Sequence, residues 1–192
     1  MIHDGGFRGT TPGLPSEDLP RGVLRAVYLH WTAGDYATLY DSYHVCIALD
    51  DDGTPRAHVT NVLRANMRDV RAQPHRPYAA HTAGRNSFAA GVAICGMRDA
   101  TPVDFGRFPL PGAAVTLACA TVARLCAAYD IPVDAAHVLT HAEAALADGY
   151  FGCGDGERWD IARLEPDARP LEPRDAIETG ERLRAHVRAA RA

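Results

Sequence analysis

Short apolar runs of strand length recur along the chain and constrain its fold more than any other feature. Each run is bounded by residues that favour turns, and the runs predict strands. They comprise residues 25–32, 43–50, 56–63, 89–97 and 135–143. Apolar residues at helical spacing predict the main helix over 113–130, and a C-terminal helix is predicted over 175–192. Strands alternating with helices predict a single α/β domain with a central mixed β-sheet flanked by helices.

Composition and charge exclude several classes of protein. A chain of 192 residues that is 47% hydrophobic is long and apolar enough to bury one full core. Its formal net charge of −4 argues against a general nucleic-acid binder. The sequence has no uninterrupted apolar stretch of membrane-spanning length, and its N-terminus lacks the layout of a signal peptide. We therefore expect a cytoplasmic protein as synthesised.

Two predicted strands end on histidines. His30 closes the run "YLHWT", His141 closes "VLTHAE", and Asp160 follows in "GERWDIARL". Two imidazoles and a carboxylate form a common catalytic zinc set, in which the fourth position is left for water. The three residues are far apart in the sequence, so their spacing alone is also consistent with ordinary structural histidines.

The five cysteines divide into two kinds. Cys46, Cys95, Cys119 and Cys126 lie within apolar runs and are predicted to be small core residues in a reducing compartment. Cys153 lies instead in a glycine-rich loop, where its thiol is available as an alternative metal ligand.

Four segments in a fixed order resemble a known family. They are "YLHWTAG", "SYHVCIALDDDGT", "AAHTAGRNSFAAGVAICG" and "VLTHAEAAL…RWDIARL". The series is similar to the zinc-dependent N-acetylmuramoyl-L-alanine amidases, which include phage amidase endolysins and peptidoglycan recognition proteins. The resemblance covers about residues 24–165. It implies a peptidoglycan substrate and Zn²⁺ bound by His30, His141 and Asp160.

The sequence departs from the family pattern at three places. Asp160 is followed by Ile161, where the family usually has Pro-Gly. The inserted stretch "ADGYFGCGDGE" brings in Cys153 as an alternative third ligand, although Arg158 and the adjoining tryptophan favour Asp160. Ala93 takes the place of a glutamate that many bacterial members carry, which favours a phage-like arrangement.

The resemblance also suggests catalytic roles. Tyr43 matches a tyrosine that short phage amidases use near the metal, and Arg158 lies where the family often has lysine. A hydroxyl and a permanent cation would both stabilise a developing oxyanion. Because arginine stays protonated, the proton for the leaving amine would come from Tyr43, from water or from Glu143. Glu143 would alternatively orient the ligand His141.

Four further residues are predicted to contact substrate. His81 matches a cleft histidine of the family. Trp31 would stack on a sugar or pack at the edge of the core, while Arg85 and Asn86 would contact substrate or shape their loop.

These features predict a peptidoglycan amidase that is a phage or prophage endolysin. The alternatives are a cytoplasmic muropeptide-recycling amidase and a non-catalytic peptidoglycan-binding module. We expect a monomer with an N-terminal arm (1–22), a catalytic domain (23–170) and a C-terminal basic helix (171–192). This helix carries Arg182, Arg184, Arg188 and Arg191, which would favour an anionic envelope surface unless the helix is simply solvated.

Overall fold

A five-stranded mixed sheet forms the centre of the computed structural model, which describes residues 19–191. The predicted arm over 1–22 therefore falls almost wholly outside the described residues. The strands are β1 (Ala26–Trp31), β2 (Val45–Leu49), β3 (Pro55–Val59), β4 (Ala89–Ile94) and β5 (Val138–Thr140). They run in the order β3-β2-β4-β1-β5, and only β3 is antiparallel to its neighbour. The predicted α/β fold with a mixed sheet is confirmed.

The two faces of this sheet differ in the size of their side chains. On one face, Leu29, Ile47 and Val92 pack with other aliphatic residues against the main helix, α1 (Gly112–Ala128). Because successive strand residues point to opposite faces, the other face carries His30 and, on β4, Gly91 and Ala93. His30 lies directly beside Ala93 in the parallel register. Small residues on β4 thus leave room for imidazole rings above the sheet.

The C-terminal helix α3 (Pro173–Arg191) packs against α1 instead of standing apart in solvent. Its buried residues include Ala176, Leu183 and Val187, which join the apolar clusters of the domain. Arg184 was predicted to be one of the basic residues on the surface of this helix, but its side chain is only 3% exposed. That residue is therefore unavailable to an envelope surface. Among the helices of the described chain, none is both long and apolar enough to cross a membrane.

The region around His141 is the main correction to the predicted elements. A strand was expected over 135–143, but β5 ends at Thr140 and His141 begins helix α2 (His141–Asp148). The Thr140 hydroxyl accepts from the Glu143 N–H at 3.1 Å, and the Glu143 carboxylate accepts from the Thr140 N–H at 2.9 Å. This reciprocal capping box starts a helix where strand periodicity predicts extended chain.

Candidate metal centre

Two histidines and one aspartate meet beside the carboxyl ends of the parallel strands. Nδ1 of His30 lies 3.1 Å from Nδ1 of His141. Oδ2 of Asp160 lies 3.4 Å from the first of these atoms and 2.9 Å from the second. All three side chains are buried, and among residues 19–191 they form the one group of His, Cys and carboxylate side chains arranged to hold a metal ion.

The backbone explains why these distant residues converge. β1 and β5 are parallel, with Leu29 beside Thr140. The residues that follow these two in the sequence are the donors His30 and His141. The Ala142 N–H in the first turn of α2 donates to the Asp160 carbonyl at 3.0 Å. This hydrogen bond holds the loop that carries Asp160 against α2, the helix that begins at His141.

The three donors fit a zinc ion in chemistry and spacing. Zinc is bound by histidine nitrogens and carboxylate oxygens, and catalytic sites use three protein ligands. Ligands at ~2.0–2.1 Å in a tetrahedron lie roughly 3.3 Å apart, and these donor atoms lie 2.9–3.4 Å apart. A zinc ion held by these three donors would keep a fourth position for water.

The electrostatics also suit a metal. Burial lowers the pKa of His30 to about 4, against a smaller opposing effect of the hydrogen bond with Asp160. Burial raises the pKa of the Asp160 carboxyl, but hydrogen bonds and charge from His141 and His30 outweigh it and hold that pKa below its ordinary range. At neutral pH, His30 is therefore neutral and Asp160 ionised, as coordination requires.

Cys153 does not take part in this group. It lies exposed in the loop after α2, and Asp160 supplies the third donor. Ile161, the next residue, is fully buried with φ 59°. Proline is confined to φ near −65°. The chain therefore leaves Asp160 along a backbone path that the Pro-Gly sequence usual in the family does not permit at that residue.

An open cleft of about 440 Å³ is lined by two of the donors, His141 and Asp160, and His30 lies buried behind them. Seven site residues besides the metal donors were predicted, and four of them line this cleft. They are Trp31, Tyr43, His81 and Arg158. Trp159 also lines it and packs edge-to-face on Trp31 with ring centroids 4.5 Å apart. Trp31 is only 7% exposed, so most of its ring belongs to the core, with one part at the cleft wall.

Tyr43 and Arg158 present different polar groups to this cleft. The Tyr43 ring lies 5.0 Å from the His30 ring, and its hydroxyl donates to the Trp31 carbonyl at 3.2 Å. Burial, together with the nearby Asp160 carboxylate, raises the pKa of that hydroxyl, so it stays protonated. Arg158 is exposed and places its guanidinium at the rim, where Nη1 donates to the Glu157 carbonyl at 2.6 Å.

The Glu143 carboxylate, predicted to donate a proton or to orient His141, is hydrogen-bonded outside the cleft. This carboxylate caps α2 and accepts from Arg184 Nη1 at 2.9 and 3.0 Å, and it does not line the cleft. The same Arg184 nitrogen donates to the Val138 carbonyl at 3.0 Å. Burial raises the pKa of the Glu143 carboxyl, while the Thr140 N–H and Arg184 act in the opposite direction. The hydrogen bonds of the Glu143 carboxylate therefore join α2 to α3 and do not go to His141.

The loop over 79–88 is held by Asn86, which was predicted to contact substrate. Asn86 Oδ1 accepts from the N–H groups of His81 at 3.0 Å and Thr82 at 2.9 Å. The Asn86 side chain is thus occupied within its own loop. Burial lowers the pKa of His81 well below its ordinary value, so this ring is neutral.

Arg85 lies away from the cleft walls. It forms a bidentate ion pair with Asp148, in which Nε and Nη2 donate to the two carboxylate oxygens at 2.6 and 2.7 Å. This pair joins the loop of Arg85 to the end of α2. This contact corresponds to the loop-shaping alternative of the sequence interpretation.

Sequence reasoning missed three features that hold the donors or the helix beside them. Thr82 hydrogen-bonds to His30, and its only local signal was its place next to His81 in "AHTAG". The Thr140-x-x-Glu143 spacing before an apolar run was a readable helix-start signal. Arg184 had no local signal, because its partner lies 41 positions away.

Comparison with known proteins gives one match. The model of the family described as N-acetylmuramoyl-L-alanine amidase matches residues 20–159, which is most of the chain and ends one residue before Asp160. Neither the curated proteins nor the solved structures contain a significant match.

Proposed function

The chain belongs to the N-acetylmuramoyl-L-alanine amidase family, and on that premise we propose that it is a zinc hydrolase. The bond cleaved joins the lactyl group of N-acetylmuramic acid to L-alanine of the stem peptide. The observation that carries the proposal is the buried cluster of His30, His141 and Asp160 at the base of an open cleft. These residues would hold a zinc ion, which would supply an activated water near neutral pH and polarise the scissile carbonyl.

The residues of the cleft supply hydrogen bonding and charge. Tyr43 keeps its proton, and rotation of its hydroxyl away from the Trp31 carbonyl would make it a neutral hydrogen-bond donor to the oxyanion that develops on the scissile carbonyl. Arg158 places a permanent cation at the cleft rim and attracts the same developing charge. Because Glu143 is occupied by Arg184, and Tyr43 is a weaker acid than usual, the leaving amine takes its proton from solvent in the cleft.

We favour an endolysin of phage or prophage origin over a recycling enzyme. Ala93, buried directly beside His30, leaves no carboxylate where many bacterial members carry glutamate. Endolysins act on intact wall, whereas a recycling amidase acts on soluble muropeptides. A non-catalytic binding module is disfavoured because all three metal donors are present.

The remaining proposals concern partners and location. We propose a monomer that is cytoplasmic as synthesised and acts on peptidoglycan, with no role in nucleic-acid binding. With Arg184 buried, envelope contact would depend on Arg182, Arg188 and Arg191, and Arg188 is already paired with Glu181. Any such contact is therefore expected to be weak and salt-sensitive.

The test combines zinc analysis with two substrates. We expect one zinc per chain, release of stem peptides from purified sacculi, and slower turnover of soluble muropeptides. Release of reducing sugar without free peptide would overturn the amidase proposal. A preference for soluble muropeptides would favour the recycling enzyme instead.

Tyr43→Phe should retain zinc but turn over more slowly, and an unchanged rate would remove the role given to its hydroxyl.

A further inference from the structure

The second nitrogen of His30 has a defined partner. Nδ1 faces His141 and Asp160, so Nε2 points away from the metal group and lies 3.3 Å from the Thr82 hydroxyl. If Nδ1 binds a metal, the proton of a neutral imidazole must sit on Nε2, which then donates a hydrogen bond. Thr82 is 1% exposed, so its hydroxyl serves this nitrogen in a site closed to bulk solvent.

The hydroxyl proton has a partner as well. Oγ1 of Thr82 lies 2.9 Å from Nδ1 of His81. A hydroxyl that accepts from His30 still has its own proton to donate, and His81 Nδ1 is the acceptor within reach. The hydrogen bonds therefore run in one direction, from His30 through Thr82 to His81.

The surrounding backbone holds this chain of hydrogen bonds in place. Asn86 accepts from the N–H groups of both His81 and Thr82, which fixes the start of the loop. Gly91 on β4 makes space for the His81 ring, since a Cβ there would lie 2.6 Å from His81 Cγ. The loop and β4 together therefore position the Thr82 hydroxyl beside Nε2 of His30.

We propose that Thr82 is a positioning residue for the metal ligand His30. It holds the ring in the orientation and tautomer in which Nδ1 is free to coordinate, and His81 in turn orients the Thr82 hydroxyl. The inference rests on the zinc function proposed above. Hydrogen-bond partners of metal-binding histidines fix the tautomer and strengthen the ligand, and their loss commonly weakens metal affinity.

The experiment compares three variants of the full chain. Thr82→Val removes the hydroxyl at nearly constant shape, and Thr82→Ser restores it. Thr121→Val is the matched control, because Thr121 is also fully buried but bonds only the Leu117 carbonyl within α1. The Kd for zinc is measured by chelator competition, and denaturant unfolding establishes that each variant is folded.

We expect Thr82→Val to weaken zinc binding by ~10–100-fold. Thr82→Ser and Thr121→Val should bind zinc about as tightly as the parent chain. In nitrogen-15 NMR spectra of the zinc-loaded protein, the His30 Nε2 proton should exchange with water faster in Thr82→Val and keep its protection in the control. Comparison with Thr121→Val separates the loss of this hydrogen bond from faster exchange caused by a general loss of stability.

Three outcomes would overturn the inference. The first is a Thr82→Val protein that binds zinc like the parent with an unchanged His30 Nε2 proton. The second is a Thr121→Val protein that loses as much affinity as Thr82→Val. If valine at position 82 prevents folding, Thr82→Ala decides by the same comparison. The third is failure of the parent chain to bind zinc, which would also overturn the proposed function, whereas the first two leave it standing.

Discussion

The two histidine ligands reach the same point from opposite kinds of backbone. His30 lies within a parallel strand, bonded on both sides by neighbouring strands, and its Nε2 meets the Thr82 hydroxyl. His141 is the first residue of a helix, and its buried Nε2 has no hydrogen-bond partner among the described residues. We call the first the strand side and the second the helix side.

This difference shows that the two sides are fixed by different forces. The strand side depends on the sheet and on the hydroxyl of Thr82, which lies 52 positions from His30 in the sequence. The helix side depends on the capping box, on the Ala142 bond to Asp160, and on the Glu143–Arg184 ion pair. Arg184 lies in α3, beyond the residues that the family model matches. Changes on the helix side should therefore alter stability and metal binding together.

The largest effect should come from removing either imidazole. His30→Ala and His141→Ala should both lose zinc and fall to the turnover of the metal-free protein, since two donors hold zinc poorly. Both should stay folded, because neither change disturbs the sheet or the helix caps. Peptide release from sacculi measures the loss, and His186→Ala, at an exposed position on α3, is the control. Substantial activity in either variant would contradict the assigned ligands.

The next effect tests the helix side alone. Arg184→Met leaves the buried Glu143 carboxylate without its cation, and breaking a buried pair costs ~3–5 kcal/mol of the free energy of unfolding. Urea unfolding measures the loss, and zinc affinity should fall with it. Arg182→Met, on the exposed face of the same helix, should change little. Equal stabilities of the two variants would show that α3 does not anchor α2.

The pH dependence of the metal-free protein tests the strand side. Burial lowers the pKa of both His30 and His44 to about 4, from 6.5 in the unfolded chain. Between pH 6.5 and pH 4, both imidazoles are protonated in the unfolded state and neutral in the folded state. The free energy of unfolding should therefore fall as pH drops from 6.5 toward 4, by up to ~3 kcal/mol for each histidine. Above pH 6.5 these two groups add no pH dependence.

Urea unfolding at a series of pH values measures this slope. His44→Gln should reduce it, because one of the buried imidazoles with a lowered pKa is removed, whereas His186→Gln should leave it unchanged. Stability that rises on acidification across this window would contradict the assignment of neutral buried histidines.

The smallest effect concerns the close approach of α3 to Glu143. A Cβ at Gly180 would overlap the Glu143 carboxylate, so Gly180→Ala should cost ~1–3 kcal/mol of the free energy of unfolding. Gly112→Ala is the matched control in α1, where a Cβ meets no atom within 4 Å. Thermal unfolding compares them, and a Gly180→Ala protein as stable as the control would show that α3 has room to shift.

Much of the strand side was predictable from the sequence. The apolar runs gave β1 to β4 within a few residues, and His30 was placed at the end of its strand. Such features depend on local alternation and on turn residues, which are visible in a short window. Even there, the step from His81 to Thr82 was missed, because a hydroxyl next to a histidine has no distinctive pattern.

The helix side was predicted less well. Strand periodicity extended β5 through His141, whereas the capping box ends the strand at Thr140. Glu143 was predicted either to supply a proton or to orient His141, because it lies two residues after that ligand in the sequence. Its actual partner, Arg184, comes from a helix whose packing no local pattern reveals.

The sequence by itself determined the kinds of element, the class of fold and the three donor types, because these follow from short-range patterns and from an ordered set of motifs. The tertiary structure alone decided which atoms of the donors face one another and which polar residues hold them there. Those contacts join residues far apart in the chain. Their geometry depends on how sheet, loops and helices pack, and no local stretch of sequence encodes that packing.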